Sequence, residues 1–416
     1  MKVLQVNCVY RKGSTGKIVY DIHTELLKQG IESVVCYGRG EKIREPHVYK
    51  TCSEWYSKLN NLLSRFTGLM YGGCFFSTTK LVRIIKKEKP DIVHLHCING
   101  YFVNIYRLIT WLRKSGIKTV LTLHAEFMHT ANCGYAYECE KWKTGCGCCP
   151  RRRRETKSLL FDRTHASWKK MKKAFEGFDD NLFITSVSPW LRDRAESSPI
   201  LSGKKHAVVF NGLDSDVFSY RFADDVRAEL GLADEKIVFH ATPFFTLDPL
   251  HNKGGYYVNE LAGRLADKNV KVVVAGSYAE KIAPAENVLL LGRVADQRKL
   301  AALYSVADVT LLASKRETFS MVTAESLACG TPVVGFEAGA PETIALPEYS
   351  TFVPYGDVEG ILSGIERLLD TPPEKSEVSL AAVAAYAKEK MAEGYMAVYT
   401  KHLYGNGEEQ DAVDEV

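Results

Sequence analysis

Two glutamates eight residues apart, Glu317 and Glu325, stand on either side of a strand-to-helix junction. Before it, residues 309–313 read as a short buried strand. After it, residues 320–328 read as a helix with Ser320 as N-cap and Gly330 as its stop. Pro332 then opens a second strand over 333–336, which completes a βαβ unit. The helix of such a unit starts at the carboxyl edge of a parallel sheet, where these sheets bind ligands. The N–H groups of Ser320, Met321 and Val322 would point out of the helix and favour a phosphate there. Glu317 can accept hydrogen bonds from hydroxyls on one side of that phosphate, and Glu325 from hydroxyls on the other. A diphosphate flanked by two polyols is a nucleotide sugar. The plain alternative is a solvated loop glutamate followed by an ordinary helix glutamate.

The run SKRETFSMVTAESLACGTPVVGFEAGAPE, residues 314–342, resembles the E-x7-E signature of the retaining glycosyltransferases of family four. The Ala-Cys-Gly-Thr-Pro-Val-Val stretch and Gly339-Ala-Pro-Glu342 match that family in order and spacing. Members often carry glycine where Thr318 and Ser320 stand, so backbone freedom here is narrower. The resemblance implies a GT-B fold: two Rossmann-like, doubly wound parallel-sheet domains facing a cleft, with a C-terminal helix crossing back to the first domain. It implies that Glu317 orients sugar hydroxyls of the donor and Glu325 the nucleotide ribose. It also implies transfer without a metal cofactor, by same-face attack of the acceptor.

Other residues take roles beside this pair. Lys253, flanked by glycine at a helix start, can present its ammonium to a diphosphate; as a plain surface lysine it would do nothing. The resemblance favours the phosphate role, because members carry Lys-Gly after the first strand of this domain. They also carry an arginine shortly before it, and the loop 242–252 contains none. Arg293, after Gly292, falls by resemblance near the nucleotide base. His124 closes the strand Thr119-Val-Leu-Thr-Leu-His124, and a lone strand-end histidine is usually structural. Thr-Leu-His nevertheless resembles the family position whose histidine faces the donor sugar, with His94 and His96 as neighbouring candidates. Gly16, in the turn Gly13-Ser-Thr-Gly16, is neither in a G-x-G-x-x-G nor in a Walker sequence. By resemblance its backbone approaches the donor phosphates or the acceptor.

The elements that must position these residues alternate along the chain. Strands are expected at 33–37, 92–95, 120–124, 183–187 and 208–211, then at 237–241, 272–277 and 288–291, with helical stretches between them. That alternation argues for doubly wound parallel sheets. A chain of 416 residues suits two such domains. The expected division is an acceptor-binding domain over 1–212, with a Cys-rich insertion at about 129–157, and a nucleotide-sugar domain over 213–385. A C-terminal helix at 386–404 and an acidic tail at 405–416 follow. The loop after residue 241 is expected to be irregular, the stretch 159–175 to be one helix, and 379–403 to be one long helical region.

Composition narrows the surroundings. At 46% hydrophobic and 25% charged, the chain is an ordinary globular one. No basic-then-apolar leader and no membrane-spanning run is evident, which suggests a cytoplasmic protein. Net charge is +4, yet residues 1–205 carry +18 and residues 206–416 carry −14. The basic half is expected to meet an anionic surface. The cluster Arg151–Arg154 with Lys169, Lys170, Lys172 and Lys173, beside Trp142 and Trp168, suggests peripheral contact with an anionic membrane. No nucleic-acid module is present.

Five of the eleven cysteines fall between Cys133 and Cys149. Cys133, Cys139, Cys146 and Cys149 could surround a structural zinc, or remain free buried thiols. The family resemblance implies hexosyl transfer from a nucleoside-diphosphate sugar to a saccharide or polyprenyl-diphosphate-linked acceptor, in bacterial surface-polysaccharide synthesis. A nucleotide-sugar epimerase of the same fold, or a non-catalytic lipid- or nucleic-acid-binding protein, are the alternatives.

Overall fold

The computed structural model describes residues 1–222 and 224–405. The acidic tail expected from residue 405 lies, beyond that residue, outside the described residues. The chain divides into two compact units, Met1–Phe210 with the C-terminal segment from Met391, and Asn211–Lys390.

The first unit holds seven strands: β1 Lys2–Asn7, β2 Glu32–Tyr37, β3 Val48–Lys50, β4 Ile92–Leu95, β5 Lys118–Leu123, β6 Leu182–Ser186 and β7 Lys205–Val208. Their spatial order is β3-β2-β1-β4-β5-β6-β7, and every pair is parallel. The chain reverses direction across the sheet between β1 and β4, so residues after those strands share the ligand-binding edge. The last strand lies at 205–208 rather than 208–211, and β3 was not expected from the sequence.

The second unit has six parallel strands: β8 Lys236–Phe245, β9 Val270–Tyr278, β10 Val288–Gly292, β11 Val309–Leu312, β12 Val333–Phe336 and β13 Ser350–Val353. Their order is β10-β9-β8-β11-β12-β13. Its reversal falls between β8 and β11, the strands that lead to Lys253 and Glu317. Both faces of this sheet are covered: on one, Val238, Val272, Val274, Val309, Leu311 and Val334 pack with Val258, Leu261 and Ile365 from helices, and on the other Phe239, Val273 and Val333 are also buried. Strands buried on both faces read as continuous apolar runs, as these do.

Three expectations need correction. The stretch after Ala241 is not an irregular loop: β8 continues to Phe245, with Phe244 and Phe245 opposite Ser277 and Tyr278. The register shifts between Ala241 and Phe244, because Pro243 has no N–H for the ladder and is accommodated at a bulge. The helix expected over 159–175 starts at Thr164, where Asp162 accepts hydrogen bonds from the Thr164 N–H and hydroxyl. Leu159, Leu160 and Phe161 stay outside it. The terminal helical region is two helices, Lys375–Tyr386 and Lys388–Tyr404. Ala387 between them is extended, and Leu213 bonds to Tyr386 and Lys388 on either side of it. From Met391 on, Met391, Tyr395, Val398 and Tyr399 pack with Val3, Ile18, Ile92 and Val120 in the core of the first unit.

Candidate active site

The site of the second unit is assembled by two loops that leave adjacent strands. After β8 the chain turns through Gly254 into the helix Gly255–Leu265. Gly254 has φ +66°, and a Cβ there would lie 1.9 Å from the Ala313 carbonyl oxygen. Only glycine lets this turn press against the end of β11. Asn252 pins the same contact: its side chain donates to the Arg316 carbonyl at 3.0 Å, and its carbonyl accepts from the Lys315 N–H at 2.8 Å. Lys253 is thereby held with Nζ 2.6 Å from Glu317 Oε1.

Glu317 itself is fixed by backbone. Its N–H donates to the Ala338 carbonyl at 2.9 Å, and the Glu342 carboxylate accepts from the Ala338 and Gly339 N–H groups. Three residues on, Ser320 caps the helix Met321–Ala328, its hydroxyl accepting from the Thr323 N–H at 3.2 Å. Ser320 sits at φ +81°, in the left-handed region. The expected departure from glycine thus costs backbone strain and brings a capping oxygen. Helix geometry leaves the Met321 and Val322 N–H groups without intrahelical acceptors, and they form the positive end of the helix dipole.

Glu325, one turn further, reaches a different space. A cavity of about 500 Å³ is lined by Thr242, Gly276, Arg293, Tyr304, Val322 and Glu325, among others. The Tyr304 hydroxyl donates to Glu325 Oε2 at 3.4 Å. Burial and the nearby Glu325 charge keep the Tyr304 phenol protonated well above its ordinary range. Lys253, Glu317, Ser320, Met321, Val322, Glu325 and Arg293 thus lie along one edge of one sheet. A cation, an unsatisfied helix start and a carboxylate-lined cavity in sequence can hold an anionic group flanked by hydroxyl-bearing ones. Sequence reasoning missed Tyr304 and Asn252. Tyr304 reads as one apolar position of an amphipathic helix, and no local signal distinguishes it.

The remaining candidates belong to the first unit. His124 follows β5, with Nε2 3.2 Å from His96 Nδ1, and His96 Nε2 lies 3.2 Å from Gln5 Oε1. Burial lowers the His124 pKa to about 4, so its ring is neutral at neutral pH. His94 is not at the edge. It is buried between the Tyr399 hydroxyl and Thr122, both at 2.7 Å, and belongs to the core beneath the C-terminal helix. Gly16 is buried in the helix Gly13–Lys28. A Cβ there would lie 3.1 Å from Val9 Cγ2, so the glycine lets the 9–11 loop pack on the helix.

The Cys-rich insertion forms its own small core. Cys133, Cys139, Cys146 and Cys149 line one cavity of about 20 Å³ with Trp142. Among the described residues, no group of three or more His, Cys, Asp or Glu is arranged to hold a metal ion, and all eleven cysteines are free thiols. Burial raises the Cys146 pKa to about 11 and that of Cys133 further. Trp142 and Trp168 are not surface aromatics, at 1% and 8% exposed. The Trp168 indole N–H donates to the Trp142 carbonyl, which ties the insertion to the helix Thr164–Phe175. Lys169, Lys170, Lys172 and Lys173 are exposed. Among the described residues no helix is long and apolar enough to cross a membrane.

Known proteins match this arrangement over most of the chain. The model for Glycosyltransferase Family 4 matches residues 15–217, and that for Glycosyl transferases group 1 matches residues 246–371. The putative colanic acid biosynthesis glycosyl transferase WcaC of Escherichia coli K12 is 24% identical over 96% of this chain and 99% of its own length. The N-acetyl-alpha-D-glucosaminyl L-malate synthase of Bacillus anthracis is 25% identical over 54% of this chain and 60% of its own. Among solved structures, sucrose-phosphate synthase of Thermosynechococcus elongatus superposes with a TM-score of 0.64 at 17% identity, covering 96% of this chain and 99% of that one. Anabaena HepE in complex with UDP gives 0.64 at 15% identity, covering 96% and 100%. Models of the two halves match in chain order, and each half has its own parallel sheet: the chain belongs to the family-four, group 1 glycosyltransferases, and is a hexosyltransferase of the GT-B fold.

Proposed function

We propose that the protein transfers a hexose, with retention of configuration, from a nucleoside-diphosphate sugar to a saccharide or polyprenyl-diphosphate-linked saccharide. The setting is synthesis of a bacterial surface polysaccharide at the face of an anionic membrane. The observation that carries the reading is the Lys253 ammonium, 2.6 Å from Glu317 and beside a helix N-terminus whose next carboxylate opens into a 500 Å³ cavity. Relatives support it: WcaC is described as a colanic acid biosynthesis transferase, and HepE has been solved with UDP-glucose.

In this reading the diphosphate lies against Lys253 and the Met321 and Val322 N–H groups. As the glycosidic C–O bond breaks, negative charge grows on the leaving diphosphate, and these preorganised groups stabilise it without a metal ion. The sugar lies toward Glu317, which accepts from its hydroxyls. The ribose lies toward Glu325 and the base toward Arg293. The His124 ring, neutral, is the first unit's proposed acceptor for a sugar hydroxyl. No carboxylate is assigned as a nucleophile, so the acceptor attacks the face the diphosphate leaves. The four insertion cysteines act as packed thiols, and metal analysis of the purified protein tests that assignment against zinc.

The deciding experiment incubates the protein with UDP- and other nucleotide-hexoses, with and without saccharide acceptors, in EDTA. Product linkage is then read by NMR. Transfer with an α-donor giving an α-product is expected. Sugar isomerisation in the absence of acceptor, or a strict need for a divalent ion, would overturn the reading.

A further inference from the structure

The helix Glu54–Thr67 is built inside out. Its N-terminus is capped by Ser53 and its C-terminus by Gly68 at φ +71°. The residues it turns inward are small and polar. Ser57 donates to the Gly100 carbonyl, Asn60 bonds to the Tyr56 carbonyl and the Cys74 N–H, and Ser64 donates to the Asn61 carbonyl. The residues it turns outward are Trp55, Leu62, Leu63 and Phe66, at 71, 50, 51 and 47% exposed. With the half-buried Leu59 they fall at i, i+4, i+7, i+8 and i+11, the spacing of one helical face.

Two neighbouring segments extend this face. Phe75 and Phe76 open the next helix, Phe75–Glu88, and Phe76 is 81% exposed with its ring 5.9 Å from Tyr56. Leu159, Leu160 and Phe161, also exposed, are tied alongside: the Leu159 N–H donates to the Arg65 carbonyl at 2.8 Å. Nine of the seventeen exposed large hydrophobic side chains among the described residues lie on these three segments. Apolar side chains scattered singly over a surface are ordinary, but a contiguous group marks an interaction site.

The rim identifies the partner. Lys58, Lys80, Arg83, Arg153, Lys157 and Arg163 are exposed on the same and adjoining segments, in a half of the chain that carries +18 over residues 1–205. A second copy would bring like charges together across the contact, which disfavours self-association. An anionic bilayer offers both what the centre needs and what the rim needs: acyl chains for the aromatics and leucines, and phosphates for the cations. We propose that the outward face of the helix Glu54–Thr67, with Phe75–Phe76 and Leu159–Phe161, is a membrane-docking surface that seats its apolar side chains among anionic lipids. The inference gains its purpose from the proposed lipid-linked acceptor, but vesicle binding is measured apart from transfer, so either can fail alone.

The test is flotation of the full-length protein with vesicles of phosphatidylcholine alone and of phosphatidylcholine with phosphatidylglycerol, at low and high salt. The protein is expected to float with the anionic vesicles, less so at high salt. Each buried leucine or phenylalanine is worth roughly tenfold in partition. The Leu62→Ser/Leu63→Ser/Phe66→Ser variant should therefore bind at least about a hundredfold more weakly with an unchanged melting temperature. If that variant fails to fold, Phe75→Ser/Phe76→Ser decides by the same readout. Transfer to a soluble saccharide acceptor should be unaffected in either. Wild-type protein that stays with the buffer, or variants that float as well as wild type, overturn the inference. So does a dimer in sedimentation that the variants disperse, since a second copy would then own the face.

Discussion

Replacing Lys253 by methionine keeps the aliphatic stem and removes the charge, which makes it the sharpest probe of the proposed site. The ammonium lies 2.6 Å from Glu317, and its side chain is 27% exposed, so it works in a partly screened environment. A unit charge about 4 Å from a developing phosphate charge, at an effective dielectric near 20, contributes roughly 4 kcal/mol. That corresponds to about a thousandfold in rate. Exposure trims it, and loss of one preorganised donor to a developing oxyanion commonly costs 10²- to 10³-fold. We expect kcat to fall about 10²- to 10³-fold at saturating donor, measured by nucleotide release. Stability should hardly change, because a partly exposed ion pair contributes at most about 1 kcal/mol. The loss will therefore not be a folding defect. Glu317→Gln alone should also suppress turnover, and the double variant should lose much less than the product of the two, because the residues act on one bond. A Lys253→Met enzyme with kcat within threefold of wild type would refute the assignment of the diphosphate to this edge.

Four further outcomes follow from the geometry. Gly254→Ala should destabilise the second unit by at least about 3 kcal/mol in urea titration, since its Cβ would overlap the Ala313 carbonyl at a positive φ. Ser320→Gly should raise stability by up to about 1 kcal/mol through relief of its φ of +81°. Ser320→Ala should lower it by about 1 kcal/mol through loss of the cap; calorimetric shifts of the same sign would contradict this account. Glu325→Ala should weaken UDP binding by about 10- to 100-fold in calorimetric titration, as expected for hydrogen bonds to a charged group, while Tyr304→Phe should cost far less. Burial lowers the His240 pKa to about 4, below the unfolded value near 6.5. The unfolded chain thus binds the extra proton, and this stability is complete above pH 6.5 and lost as pH falls toward 4. At pH 5 the loss is about 2 kcal/mol, read as a lower urea midpoint that His240→Gln should make less pH-dependent.

The stretch from β11 to β12 was legible from residue types because its geometry is local. A cap, a helix period, a stopping glycine and a following proline act over distances of a few residues, and they locate Glu317 and Glu325 before any packing is known. The alternation of apolar runs with amphipathic stretches likewise dictates parallel sheets, since strands covered on both sides need helices to cover them. What neighbours cannot determine is which apolar surface gets covered, and by what. Lys253 meets Glu317 across 64 residues only because β8 and β11 are adjacent in the sheet. His94 and His96 look equivalent in sequence, yet the C-terminal helix buries one beneath Tyr399 and leaves the other bonded to His124. Trp142 and Trp168 resemble surface anchors and are core, whereas Leu62, Leu63 and Phe66 resemble core and are surface. Hydrophobicity is a property of the side chain, but burial is a property of the whole packed chain, and only the tertiary structure assigns it.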